Sequence, residues 1–243
     1  MPVLTTACVV AIAGAAHWVW PWLWLQAQRR RLATICRVHR LIAITFDDGP
    51  GRLLTPLVSE RLSQARVPGT FFLLAQSVRG NEDVVEDLVR GGHEIGSHGD
   101  RHVHHMWSWP WSGLLDTRDG WRRLRDVTGK EARGIPFRPP FGKLNVLSMF
   151  YVWRQRTPVV MWTHDGYDTR LGVDKSPAEL AEGLRATGGG VVLLHDFDRS
   201  LVNASQQVLA KLDAVLGLRG EGYRFVCASE LMALAGMAPT VTR

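Results

Sequence analysis

From Leu41 onward, short runs of β-branched and aromatic residues alternate with segments of helical period, and that alternation leaves few folds open. Seven runs read as strands: Leu41–Thr45, Gly69–Leu74, Glu94–Ser97, Ile135–Arg138, Pro158–Thr163, Val191–His195 and Tyr223–Cys227. The helices between them have recognisable ends. Thr55-Pro56 opens one, Asn81 opens another that stops at Gly91, and Ser176-Pro177-Ala178-Glu179 is a capping box whose helix stops at Gly188. The pattern predicts one barrel-like α/β domain around a parallel sheet. Repeats and low-complexity tracts are absent from the sequence.

The first 40 residues differ from the rest. Val3 to Leu25 carry no Asp, Glu, Lys or Arg, a length that would cross a bilayer as a helix. Trp18, Trp20, Trp22 and Trp24 crowd its end, and Arg29, Arg30, Arg31, Arg37 and Arg40 follow, as an aromatic belt and basic anchor would. The expectation is a single N-terminal membrane anchor over residues 1–40, the α/β domain over 41–235 and a tail over 236–243. A cleaved signal peptide and an apolar helix packed on the domain are the alternatives. Positive-inside bias would leave the domain on the cytoplasmic side, so the face of the membrane stays open. The net charge of +6 is largely local to these arginines and comes with no nucleic-acid motif, so no nucleic-acid partner is expected. Cys8, Cys36 and Cys227 are too few and scattered for a disulfide framework.

Chemistry-bearing residues recur at strand ends. Thr45-Phe46-Asp47-Asp48-Gly49-Pro50 puts two carboxylates directly after a strand. On a free loop that is a solvated turn; held rigidly, one carboxylate can meet a cation while the other stays free as a base. His98 and His102 are four apart, a spacing that can bring two imidazoles to one face. Two histidines and a carboxylate would make a three-ligand site with room for water. His93, His104 and His105 lie nearby, expected on the surface or orienting the site. Three later segments occupy the same position at the C-terminal end of a strand: Phe137-Arg138-Pro139-Pro140-Phe141-Gly142, Trp162-Thr163-His164-Asp165-Gly166-Tyr167-Asp168 and Val191-Val192-Leu193-Leu194-His195-Asp196.

In combination and order these five segments resemble the polysaccharide deacetylase family, carbohydrate esterase family 4, whose catalytic part is the NodB-homology domain. The resemblance implies a distorted (β/α)7 barrel, here preceded by an N-terminal hydrophobic helix. It implies Asp47 as general base, with Asp48, His98 and His102 as ligands of a divalent metal: zinc first, with cobalt, nickel or manganese as alternatives. It further implies that Arg138 orients the base, that the Phe141 N–H beside Pro140 faces the oxyanion, that Asp165 orients a histidine, and that His195 is the general acid beside a pocket lined by Leu193. Gly99 departs from the family, which usually has Ser or Thr there. Thr169 stands where Trp is usual, and Phe141 where Tyr is common.

The expected activity is metal-dependent removal of N-acetyl groups from N-acetylglucosamine-type units of a cell-wall, exopolysaccharide or chitin-like glycan, by a monomer. One alternative keeps the machinery and changes the substrate to a lipid-linked or small amino sugar, a glycolipid, or another linear amide. Another is a membrane-tethered glycan-binding module without catalysis. Trp107, Trp109 and Trp111 read either as a sugar-stacking or lipid-facing surface or, equally, as core packing or a simple aromatic loop.

Overall fold

The computed structural model describes residues 2–129, 134–169, 175–199 and 203–237, with the side chains of 2–13 and 15–16 outside that set. In chain order it runs α1 (Pro2–His39), β1 (Leu41–Asp47), α2 (Leu54–Ala65), β2 (Gly69–Leu73), α3 (Ala75–Val78), α4 (Glu82–Arg90), β3 (Glu94–Ser97) and α5 (Pro110–Thr128). It continues with α6 (Val146–Arg154), β4 (His164–Asp165), α7 (Pro177–Thr187), β5 (Gly190–His195), α8 (Ala204–Leu216), β6 (Arg224–Phe225) and α9 (Ala228–Leu234). All strand pairs are parallel, in the order β3-β2-β1-β5-β4, with β6 joining the start of β1.

β1 is buried along its whole length, as a central parallel strand covered on both faces must be. Its residues alternate between two apolar clusters. Ile42, Ile44 and Phe46 join the one shared with α2, α4 and α8, whereas Leu41 and Ala43 meet Phe72, Val160 and Val191. That second face turns polar toward the C-terminal end of the strand, where Thr45 and Asp47 follow. The interior of the sheet is therefore apolar at one end and chemical at the other.

Three expected strands are reduced, Tyr223–Cys227 to the two-residue β6 and two others further still. At Ile135–Arg138 only isolated bridges survive, Ser97 to Phe137 and Phe137 to Val159, and the Pro158–Thr163 strand becomes a bridge at Val159 followed by the short β4. Pro136, Pro139 and Pro158 lack the N–H that a continuous ladder needs. The bridges still link β3 through Phe137 to the segment that leads into β4, where the Thr163 N–H donates to Val191 O at 2.9 Å. Helix ends follow the sequence more closely: Ser176 and Glu179 form a reciprocal capping box, and Gly188 ends α7 at φ 78°.

The membrane anchor is corrected. Among the described residues no helix is long and apolar enough to cross a membrane. The expected span falls partly on residues 3–13 and 15–16, whose side chains lie outside the described set. Farther along α1, Pro21, Leu25, Leu32 and Cys36 are buried at helical spacing, on the face that meets the domain. Leu32 and Cys36 pack with Leu41, Ala43 and the α9 residues Leu231 and Met232 against the apolar end of the sheet. The arginine flank also lies on the domain: Arg29 reaches Thr163 O at 3.4 Å, and Arg40 stacks on Tyr223 at 4.2 Å while donating to Glu221 O.

Candidate active site and metal-binding cluster

Sheet register brings the first two groups together. Asp47 at the end of β1 pairs in register with His195 at the end of β5, and Leu73 in β2 pairs with Ser97, one residue before His98. Asp47 is 2% exposed, and its Oδ1 accepts from Arg138 Nη1 at 2.8 Å. Arg138 is fully buried, stacks on Phe72 at 4.2 Å, and also donates to Thr45 Oγ1 at 2.7 Å and Val160 O at 3.0 Å. Burial raises the Asp47 carboxyl above its ordinary range while the Arg138 charge opposes that shift, leaving a stronger base than a free carboxylate.

The next cluster is Asp48, His98 and His102. Asp48 Oδ1 lies 3.5 Å from His98 Nε2 and 3.4 Å from His102 Nε2, and it is buried without a hydrogen-bond partner. His98 Nδ1 sits 2.8 Å from Arg138 O, a carbonyl that only accepts, so Nδ1 carries the proton and Nε2 presents a lone pair. Burial pushes the His98 pKa down to about 3, which keeps the ring neutral. An orphaned carboxylate oxygen facing two imidazole nitrogens is costly by itself and fits a divalent cation. A histidine ligand whose other nitrogen is fixed by a carbonyl is the arrangement that orients metal-binding imidazoles. Ligand atoms of all three residues lie within 4.8 Å of one another. Asp48 (φ 71°), His102 (φ 59°) and Phe141 (φ 56°) all hold left-handed backbone, which non-glycine residues adopt at a cost and which gathers at functional sites.

His195 is the third component. Its Nδ1 meets Asp168 Oδ1 at 2.9 Å and its backbone N–H donates to Asp168 Oδ2 at 2.9 Å. Arg199 donates to the same carboxylate at 3.1 Å. Burial alone would lower the His195 pKa, but the hydrogen bond and charge of Asp168, with Asp47 and Asp48 behind it, raise it above the ordinary value. Burial would likewise raise Asp168, and His195 and Arg199 more than offset that. The expectation for Asp165 is therefore corrected: its Oδ1 accepts the Tyr167 N–H at 2.8 Å, closing the turn that delivers Asp168. Both carboxylates are present in the sequence, but side-chain direction around a turn with Tyr167 at φ 53° is not legible there.

These residues line one cavity of about 490 Å³, with Asp47, Asp48, His98, His102 and His195 on its walls and Phe141, Trp162, Leu193 and Phe197 as its apolar lining. Asp165 and Thr169 also border it. Phe141 is half-exposed beside buried Pro140 and packs at a tilt against the rings of His102 and His104. His93 and His105 are buried elsewhere, His93 accepting the Gly69 N–H and His105 against Gly113. Thr45, Asp168, Arg199 and Asp196 support the site without having been singled out for it. Asp196 accepts from Thr55 Oγ1 at 2.6 Å beneath Gly49, where a Cβ would come within 2.4 Å of its Oδ1; burial pushes its pKa up to about 7.

A parallel α/β sheet with a carboxylate, a histidine and a prospective metal cluster at its strand ends defines a hydrolase-type site, and the comparisons assign the family. The polysaccharide deacetylase model matches residues 35–153. A peptidoglycan-N-acetylglucosamine deacetylase of Bacillus cereus is 34% identical over 197 residues, covering 79% of this chain and 88% of the relative. Peptidoglycan-N-acetylglucosamine deacetylase PgdA of Listeria monocytogenes is 29% identical over 203 residues, 80% of this chain but 39% of that longer protein. The crystal structure of the peptidoglycan N-acetylglucosamine deacetylase Bc1960 superposes with a TM-score of 0.71 at 25% identity, covering 80% of this chain and 89% of its own. The chain belongs to the polysaccharide deacetylase family, and it is a hydrolase of carbon–nitrogen bonds in linear amides.

Proposed function

We propose that the chain removes N-acetyl groups from N-acetylglucosamine units of a cell-wall-type glycan, with Asp47 as base and His195 as acid. One observation carries this reading: the unpartnered Asp48 Oδ1 and the two imidazole Nε2 atoms face the same cavity as the Asp47–Arg138 and His195–Asp168 pairs. Relatives named as peptidoglycan deacetylases support the substrate class. The lipid-linked alternative loses the support it drew from a membrane anchor.

Asp48, His98 and His102 would hold a divalent ion, zinc by the nitrogen and oxygen donor set, which when bound supplies Lewis-acid polarisation of the amide carbonyl and acidification of water. Asp47 takes a proton from the attacking water, and its ion pair with Arg138 keeps the carboxylate aimed at the cavity. As the water oxygen bonds to the acyl carbon, the Phe141 N–H donates to the developing oxyanion, a contact worth about 3 kcal/mol of barrier. His195 Nε2 gives its proton to the nitrogen as the C–N bond breaks, so acetate and a free amine leave. Asp168 fixes the proton on Nδ1 and favours the imidazolium that this step requires. Around the rim, Phe141, His104 and strongly exposed Trp107 offer successive ring faces to neighbouring sugars.

The test is acetate release from acetylated chitooligosaccharides and peptidoglycan by the purified chain, before and after a chelator. Release that stops with the chelator and returns with zinc is the expected result. Glycan binding with no acetate released under any metal would replace the enzyme by a binding module.

A further inference from the structure

The turn between the two prospective metal histidines, Gly99-Asp100-Arg101, is held from two sides. From α3, the Ala75 and Gln76 N–H groups donate to Gly99 O at 3.0 Å and Asp100 O at 3.1 Å. From the other side comes one face of α5, where Gly113, Asp116, Thr117 and Gly120 are buried at i, i+3, i+4 and i+7 spacing. Its two glycines permit contact closer than any side chain would: a Cβ on Gly120 would fall 2.5 Å from Gly99 C, and one on Gly113 would fall 2.7 Å from His105 Cγ. Between them Asp116, 5% exposed, accepts the Arg101 N–H through Oδ1 at 2.7 Å. Its Oδ2 occupies the place a side chain at position 99 would need, since a Cβ there would lie 2.2 Å away. Gly99 itself sits at φ +85°.

We propose that Asp116 is a positioning residue for the metal cluster, its carboxylate supplying from α5 the support that Gly99 cannot give to the turn joining His98 and His102. The inference rests on the metal reading above. Arg101 immediately precedes His102, whose Nε2 lies 3.4 Å from Asp48 Oδ1. The part-buried Arg101 N–H is turned toward α5, and removing its acceptor lets the turn shift. Metal–ligand distances tolerate only about 0.2 Å, so a small shift at Arg101 reaches the site.

Zinc affinity, measured by competition with a chromogenic chelator, and the visible spectrum of the cobalt form test this without substrate. Asp116→Ala is expected to weaken zinc binding about 10- to 100-fold, the range found for partners that orient ligands, and to alter the cobalt bands. Asp116→Asn, which keeps an oxygen for Arg101, should retain most of the affinity. Gly99→Ser should weaken binding strongly alone and less in the Asp116→Ala background, because the two residues compete for one space. Unchanged affinity and spectrum in Asp116→Ala would overturn the proposal, as would equal losses in the Asn and Ala variants or strictly additive costs with Gly99→Ser. Should Asp116→Ala not fold, Asp116→Asn with Gly99→Ser in its background gives the same decision. A wild-type chain that binds no zinc removes the metal reading itself, whereas wild-type binding with an indifferent Asp116 removes only this one.

Discussion

The acid–base pair and the histidine turn meet in one cavity but are held there differently. Asp47 and His195 are register partners on adjacent parallel strands, so backbone hydrogen bonds of the sheet set their separation. His102 sits on a turn whose course depends on α3 amides and on Asp116. A strand end keeps its place when a side chain is exchanged; a turn braced by single groups does not. Substitutions at the strand ends should therefore remove chemistry and leave geometry, and substitutions around the turn should do the reverse.

The largest expected effect is Asp47→Asn. Removing the base should lower kcat by about 10²- to 10⁴-fold, with zinc stoichiometry unchanged because Asp48, His98 and His102 remain. His98→Ala is its counterpart: stoichiometric zinc binding should be lost, and activity with it. Metal analysis beside acetate-release rates checks both. Loss of zinc in Asp47→Asn would break the division between the two regions, and full activity in that variant would exclude Asp47 as the base.

The same division describes what was legible beforehand. Strand-borne residues announce themselves, because a buried β-branched run such as Leu41–Phe46 ends on a carboxylate pair and Val191–Leu194 ends on a histidine. Residues that reach in from elsewhere do not. Asp116 lies mid-helix in α5 with no cavity residue beside it in sequence, and Arg199 reaches back to Asp168 from the loop beyond β5, where nothing in its own pattern marks it. Strand length was overestimated where prolines 136, 139 and 158 interrupt the ladder. The N-terminal error had a different origin. Counting charges over Val3–Leu25 misses the stripe Pro21, Leu25, Leu32, Cys36, which runs past the apolar stretch into the arginine-rich one and marks a helix with a protein partner.

A smaller and sharper effect is expected from Asp168→Asn. His195 must be protonated to act as an acid, and Asp168 holds its pKa above the ordinary imidazole value against the opposing effect of burial. Activity should fall on the alkaline side as pH rises through that elevated value. Without the Asp168 charge the alkaline limb should move to lower pH, and kcat at neutral pH should drop with it. The acidic limb belongs to Asp47, which must be ionised and whose pKa burial raises, so it should stay in place. A pH–rate profile of kcat for both proteins reads the two limbs separately. An unmoved alkaline limb would show that another group supplies the proton.

Asp165 gives the smallest effect and the cleanest contrast, because it lies three residues from Asp168 on the same turn and borders the same cavity. Its Oδ1 accepts the Tyr167 N–H rather than meeting His195. Asp165→Ala removes one hydrogen bond that shapes the turn, worth about 1 kcal/mol, and leaves the charge beside His195 intact. The variant should lose a few-fold in kcat, with its alkaline limb where the wild type has it. An acidward shift as large as that of Asp168→Asn would mean that the turn rearranges in solution to bring Asp165 against the imidazole.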